Sequence, residues 1–396
     1  MTKNYFDFII CGGGASGLLL LKALREDPFF NDLSILLIEK EIKNTNDRTW
    51  SYWETKGGLF DSLLTKKWSR AQFCSNDQSF VFDLDPYQYK MLRSASFYND
   101  IREKFSKMKN TSFLQAEIKS LDSKKMITEI LTSQGKFKSK KVFNSLFDAK
   151  PMINQKKYPV LQQHFVGWFI KTKKSSFDSS KVVFMDFNIP QIKETRFIYL
   201  LPIDEHNALV EYTLFSEKLL KHKTYETGIK TYLDSLGIKE YEIKEKEQGN
   251  IPMTCFPFEK YNCKSLIHIG TAGGWTKAST GFTFMNNRRN IDRLIPFLKT
   301  EKSLNAFRVK NRFRFYDLLF LDVLKRYNAY GSKLFSRMFE KNPPVRIFRF
   351  LDEKTNFIEE LKILSSFSSI QKIWFLKALF RSYFKIFSSL NLSQKF

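Results

Sequence analysis

The sequence predicts an α/β chain: a domain built on a parallel sheet, an antiparallel-sheet domain inserted into it, and a helical, basic C-terminal region. Three observations carry this. Two apolar runs near the start flank a glycine-rich turn and a leucine-rich stretch of helical period, the strand–helix–strand pattern that opens a parallel sheet. Aromatic and β-branched runs then follow one another at short intervals between residues 181 and 215, as antiparallel strands do. After Thr300 the pattern is helical, with Lys and Arg in excess.

With 396 residues and 43% hydrophobic content the chain is long enough for one large or two ordinary domains. Its 41 phenylalanines point to an aromatic core or a long apolar pocket, unless the composition has simply drifted toward Phe and Lys. A formal charge of +24 points to an anionic partner, a membrane surface or nucleic acid. No zinc finger, RNP box or basic zipper is present in the sequence, so no nucleic acid is expected. The four cysteines, Cys11, Cys74, Cys255 and Cys263, lack C-x-x-C spacing, which suits free thiols in a reducing cytoplasm and no metal site.

The elements follow in order. YFDFIIC reads as a strand, GGGASG as a turn, LLLLKALRED as a helix and LSILLIEKE as a strand. Asp7 and the three glycines exclude a signal sequence here, and no uncharged apolar run reaches the roughly 18 residues that span a bilayer. Residues 60–145 alternate short strands with a helix near Tyr87–Phe105. VVFMDF, RFIYLLP and ALVEYTLF form an antiparallel meander, and a helix covers about Thr224–Leu236. SLIHIG is a strand, TAGG a turn, and a helix runs from about Phe282 to Leu298. The first strand and SLIHIG are expected in one sheet with the meander inserted between them. That gives a nucleotide domain from 1–60, 85–150 and 260–300, a substrate domain from 61–84 and 151–259, and a helical region from 301–396.

Gly12-x-Gly14-x-x-Gly17 lies between strand and helix, the Rossmann-like context in which glycines let backbone approach a pyrophosphate and the helix N-terminus offers N–H groups. Glu39, ending the second strand, stands where an acid accepts from ribose hydroxyls. The alternative is a merely tight strand–helix turn. A second turn far downstream, Gly270-Thr271-Ala272-Gly273-Gly274, suits FAD, whose flavin half is held by a distant segment, unless it is an ordinary connection. Ser16 and Arg48 join Gly12, Gly14, Gly17, Glu39, Gly270, Ala272, Gly273 and Gly274 as cofactor-binding candidates.

NALVEYTLF places Glu211 on one strand face with Leu209, Thr213 and Phe215. Either that carboxylate faces water at an edge, or it is an acid held where water is scarce.

Several motifs are similar to those of the bacterial lycopene β-cyclases, FAD-dependent carotenoid cyclases. They are Asp47-Arg48-Thr49-Trp50-Ser51-Tyr52-Trp53-Glu54, Gln163-His164-Phe165-Val166-Gly167-Trp168, Met185-Asp186-Phe187 and Leu200-Leu201-Pro202. Leu209-Val210-Glu211-Tyr212-Thr213, Ile251-Pro252-Met253-Thr254, the second glycine turn with Lys277 and Ser279-Thr280-Gly281, and Arg349-Phe350-Leu351-Asp352-Glu353 continue the series in order. Lys150 stands where that family usually has arginine, and Phe169 replaces an acid.

The resemblance implies a non-redox reaction: acid-catalysed closure of the ψ-ends of lycopene and related acyclic carotenoids to β-ionone rings. It implies reduced FAD beside the carbocation, NADPH or NADH as reductant, and Glu211 as the acid, acting again as the base. Trp50, Trp53, Trp168 and Asp148 become candidates for stabilising substrate and cation, although the tryptophans also suit a core and Asp148 and Asp47 also suit turn caps. His164 reads as a structural hydrogen-bonder. The competing activities are an FAD-dependent monooxygenase or prenyl reductase on the same scaffold, and a non-catalytic pigment binder.

Residues 361–396 carry six Lys/Arg and no acid. Lys377, Arg381 and Lys385 form one helical stripe, with Phe375, Leu379, Tyr383, Ile386 and Leu390 opposite. Such a helix suits peripheral attachment to the inner face of the cell membrane, or a terminal helix packed on the body.

Overall fold

A computed structural model of the protein describes residues 4–392 apart from 77, 125 and 310, with side chains described through Phe384. The chain opens with β1 (Tyr5–Cys11), α1 (Ala15–Glu26) and β2 (Ile35–Glu39). Next come β3 (Thr49–Thr55), β4 (Lys66–Trp68), β5 (Arg70–Ser75), β6 (Gln78–Asp83), β7 (Tyr87–Arg93) and α2 (Ser94–Phe105). β8 (Thr111–Gln115), β9 (Ile118–Lys124), β10 (Ile127–Thr132), β11 (Gly135–Asn144) and the single turn α3 (Lys150–Ile153) follow. β12 (Val160–Thr172), β13 (Lys181–Asp186), β14 (Thr195–Pro202), β15 (Asn207–Ser216), α4 (His222–Ser235) and β16 (Tyr241–Thr254) make up the middle. After β17 (Leu266–His268) the described chain is helical: α5 (Phe284–Leu298), α6 (Phe313–Arg326), α7 (Gly331–Lys341), α8 (Pro344–Leu351), α9 (Phe357–Ser366) and α10 (Ser369–Leu392).

The first sheet runs β8-β2-β1-β11 in parallel. The early part of β11 pairs antiparallel with β10, and its last residues take β17 in parallel, Val142 opposite Leu266. The two apolar runs expected in one sheet therefore share it. Ile9, Ile10, Cys11, Ile35 and Ile38 are fully buried, which explains continuous apolar runs rather than alternation. One face packs on α1, α2 and α5; residues of β9–β11 help cover the other.

The second sheet runs β16-β12-β15-β14-β13-β5-β6, antiparallel except where β13 meets β5. One face carries Phe197, Tyr199, Leu209 and Phe215, in a core shared with α6, α7 and α8. The opposite face carries Val166, Trp168 and Val210 under α4. A small sheet, β3-β7-β4, joins the same core through Trp53, Trp68 and Tyr89. The α/β class, with parallel and antiparallel sheets and a helical C-terminal region, is as expected.

One local expectation is corrected. Tyr87–Arg93 is a strand, not the start of a helix: alternation places Tyr87, Tyr89 and Met91 in the apolar core, and the helix begins at Ser94. The second glycine turn is a 3-10 turn, Gly270–Gly273, and a loop leads from it to the helix at Phe284–Leu298, close to the expected bounds.

The terminal helix also differs. α10 packs on α6, and Arg381 turns inward to pair with Asp322 through Nε at 2.9 Å. Phe375 likewise turns to Phe367. The outward face is apolar instead, with Ile370, Ile373, Phe380 and Phe384 exposed beside Lys372 and Lys377. A buried acid on α6 outcompetes solvent for the guanidinium, and that rotates the stripe. The side chains of Lys385, Ile386 and Leu390 lie outside the described residues. No helix among the described residues is long and apolar enough to cross a membrane.

Candidate active site

The two glycine turns, far apart in the chain, meet in space. Gly270 has φ +63°, and a Cβ there would collide with the Ser16 hydroxyl at the start of α1. Gly17 allows α1 to sit against the Gly12 carbonyl, which a side chain would strike. Glu39 Oε2 accepts from Gly13 N–H at 2.6 Å, so the acid ending β2 clasps the loop itself. Gly14 caps α1 with no side-chain hydrogen bond, leaving backbone N–H groups for a ligand.

A cavity of about 490 Å³ opens from this point. Gly14 and Ser16 line one part, Thr271 and Thr280–Asn287 another, and Trp53, Tyr199, Leu209, Glu211 and Glu247 a third. Several buried polar atoms in its wall lack partners: Tyr52 Oη, Trp53 Nε1, Gln163 Oε1, Thr280 Oγ1 and the Asn287 amide. Buried polar groups are rarely left unpaired, so this wall is suited to a ligand with polar edges. The residues present fit a dinucleotide: an uncapped helix start for phosphates and an orphaned amide and hydroxyl beside the second turn.

Glu211 sits on β15 between β12 and β14, not at an edge, and is 9% exposed. Cross-strand register sets Tyr199, Glu211, Gly167 and Glu247 in one row over four strands. Burial first, then the charge of Glu247, pushes the Glu211 carboxyl up to about 8; the Thr213 hydroxyl, donating to Oε1 at 2.6 Å, opposes this. Glu247 is also raised by burial, against a hydrogen bond from Thr49 Oγ1 at 2.6 Å and the nearby charge of Arg93. Arg93 lies 3.9 Å from the ring centre of Phe169, so the aromatic residue at that position holds a cation in place.

The structure brings Gly14, Ser16, Arg48, Trp50, Trp53 and Glu211 to one cavity. Trp50 stacks on Phe284 at 5.0 Å, and Trp53 meets Phe282 edge-on at 4.6 Å. Of the second turn, Thr271 faces this cavity while Gly273 and Gly274 line a smaller neighbouring cleft; Gly270 and Ala272 pack behind.

Two candidates are corrected. Trp168 points to the opposite face of the sheet, under Tyr241 and Lys246, because it neighbours Gly167 on a strand whose side chains alternate. Asp148 is exposed and caps a turn, accepting from Lys150 N–H at 2.9 Å. His164 is buried between Ser216 and Tyr225, each at 2.7 Å, and burial lowers it to about 4, as a neutral structural hydrogen-bonder requires. Asp47 ties β3 to α2 through Ser94 and Tyr98.

Sequence reasoning missed Glu247. It lies in EIKEKEQ, whose alternating charges read as a solvated edge strand. It also missed the partners of buried Lys277, the buried Asp317 at 2.9 Å and the half-buried Glu353 at 3.0 Å, which pin the C-terminal helices to the loop after the second turn.

The lycopene cyclase protein family model matches residues 7–374. A comparison with curated proteins finds no match. Among solved structures, the flavin-dependent brominase Bmp2 is similar at 13% identity and TM-score 0.61, over 88% of this chain and 94% of that one. A geranylgeranyl bacteriochlorophyll reductase-like protein from Thermoplasma acidophilum is 13% identical at TM-score 0.57, over 98% and 99%. The halogenase PltM, solved with phloroglucinol and FAD, is 11% identical at TM-score 0.56, over 88% and 79%. At these identities the likeness is one of fold.

Proposed function

The chain belongs to the lycopene cyclase family, and from that premise we propose that it closes the ψ-ends of lycopene to β-ionone rings by acid catalysis without net redox change. The observation that carries the reading is Glu211: a carboxyl raised to about 8 in an aromatic-walled cavity that also reaches an uncapped helix start. At neutral pH such a group holds its proton, and a hydrocarbon alkene needs a proton donor shielded from water. Thr213 occupies Oε1, which leaves Oε2 to bear the proton.

The first glycine turn and α1 would hold the phosphates of FAD, Glu39 would face its ribose, and Thr271, Thr280 and Asn287 would meet its polar edges. Bound in its reduced form there, the flavin supplies negative charge beside a developing carbocation. Tyr89, Tyr199, Trp53 and Phe282 line the wall around Glu211, exclude water and present ring faces or edges to the substrate. A desolvated cation over such a face gains about 2 kcal/mol.

Lycopene dissolves in bilayers, so the enzyme must reach it there. The apolar outward face of α10, flanked by Lys372 and Lys377, is the surface proposed to lie on an anionic membrane. Anaerobic incubation with lycopene and reduced FAD, followed by chromatography and mass measurement, tests the reaction. A cyclic product of unchanged mass is expected; added hydrogen or oxygen would assign the scaffold to reduction or oxygenation instead.

A further inference from the structure

The protein carries a second carboxylate, the half-buried Glu247, that the reaction above leaves without a task. Glu247 on β16 and Glu211 on β15 both lie opposite Gly167 of the strand between them. Directly opposed residues in antiparallel strands share a face, so the two acids point into the same cavity, and both line it. Glycine at the middle position puts no β12 side chain between them; Leu209 Cδ1, 3.0 Å from where a Gly167 Cβ would stand, packs over it instead. A Cβ on Gly167 would lie 3.2 Å from Glu247 Cγ and 3.5 Å from its Oε1, so the Glu247 side chain leans over the glycine. Its other oxygen accepts from Thr49 Oγ1. Burial raises the Glu247 carboxyl; Thr49 and the charge of Arg93, itself held by Phe169 and by Glu245 at 2.5 Å, oppose that rise. Glu211 is flanked differently, by Tyr199 on β14 and by the Thr213 hydroxyl, with Tyr89 nearby. Two acids in one cavity, one beside aromatic rings and one beside a cation, have the asymmetry of a proton donor and a proton acceptor.

Resting on the cyclase reading, we propose that Glu247 is the base of the same turnover, taking the C–H proton whose loss completes the ring. Glu211 gives its proton to the terminal double bond of the substrate. The next double bond supplies the electron pair of the new carbon–carbon bond and leaves a tertiary cation. The Glu247 carboxylate removes a proton from the adjacent ring carbon, and that C–H electron pair becomes the ring double bond. No electron is gained or lost. Glu211 ends ionised and Glu247 protonated, and proton exchange through the cavity both acids line resets the pair.

Glu247→Gln tests this, because the amide oxygen still accepts from Thr49 but cannot take up a proton. The assay is run in D2O with lycopene and reduced FAD. Ring formation is expected to fall about 100-fold or more. Recovered lycopene is expected to gain deuterium at its terminal positions, because the cation forms, cannot be deprotonated at the ring carbon, and reverts. Glu247→Asp should restore part of the ring formation and suppress the exchange. Ring formation at the wild-type rate in Glu247→Gln overturns the assignment. So does slow turnover with no deuterium in the substrate, which places the defect before protonation and marks a structural role. Wild-type protein that forms no ring at all defeats the cyclase reading itself, whereas a wild type that cyclises beside an unaffected Glu247→Gln defeats this inference alone.

Discussion

Replacing Glu211 with glutamine changes two measurable quantities with one nearly isosteric substitution. The ordinary carboxyl value of 4.5 applies to the unfolded chain, and about 8 to the folded one. Because the folded value is the higher, the stability contributed by this group is fully present below pH 4.5 and is lost as pH rises toward 8. At pH 7 the cost of keeping the proton is about 3 kcal/mol, since each unit of separation is worth about 1.4 kcal/mol. An amide has no such cost. Urea unfolding of wild type and Glu211→Gln at about pH 5 and pH 8 should show the variant gaining about 3 kcal/mol relative to wild type across that interval. Ring formation should fall about 1,000-fold or more in the same variant, with flavin content unchanged. Wild-type turnover should also decline above about pH 8, as Glu211 loses its proton. Stability differences that stay constant with pH, or turnover within about tenfold of wild type, would refute the reasoning.

Other perturbations address the frame around the acid. Gly270→Ala strains a residue at φ +63° and drives a methyl into Ser16, so the two turns should separate; flavin retained after gel filtration should drop while the far-UV dichroism stays. Lys277→Met leaves the buried Asp317 and the half-buried Glu353 without their cation, and urea unfolding should register a loss of about 3–5 kcal/mol. Ile373→Asp with Phe380→Asp alters only exposed positions of α10; vesicle flotation should weaken sharply at an unchanged melting temperature, and undiminished flotation would remove this face from the membrane proposal.

Much of this was legible because it is local. Apolar runs on either side of Gly12–Gly17 declare a strand–helix turn, and VVFMDF, RFIYLLP and ALVEYTLF declare strands, since period and turn chemistry act over a few residues. Tyr87–Arg93 was misread where aromatic spacing fits both strand and helix, and burial against the core decided for strand. The stripe of Lys377 and Arg381 was legible as a helix but not as a direction, because Asp322, far away in the chain, turns Arg381 inward.

The sequence by itself determined that this chain starts with a nucleotide-type turn, that one acid lies within an apolar strand, and that the family's motifs run through it in order. Only the tertiary structure decided which residues face that acid. Trp168 and Gly167 are neighbours in the chain yet lie on opposite faces, while Glu247, in a stretch that reads as solvated, stands two strands from Glu211 across a glycine. The reason is that a strand's period decides only which residues share a face; register between strands, set by packing of the whole sheet, decides what that face meets.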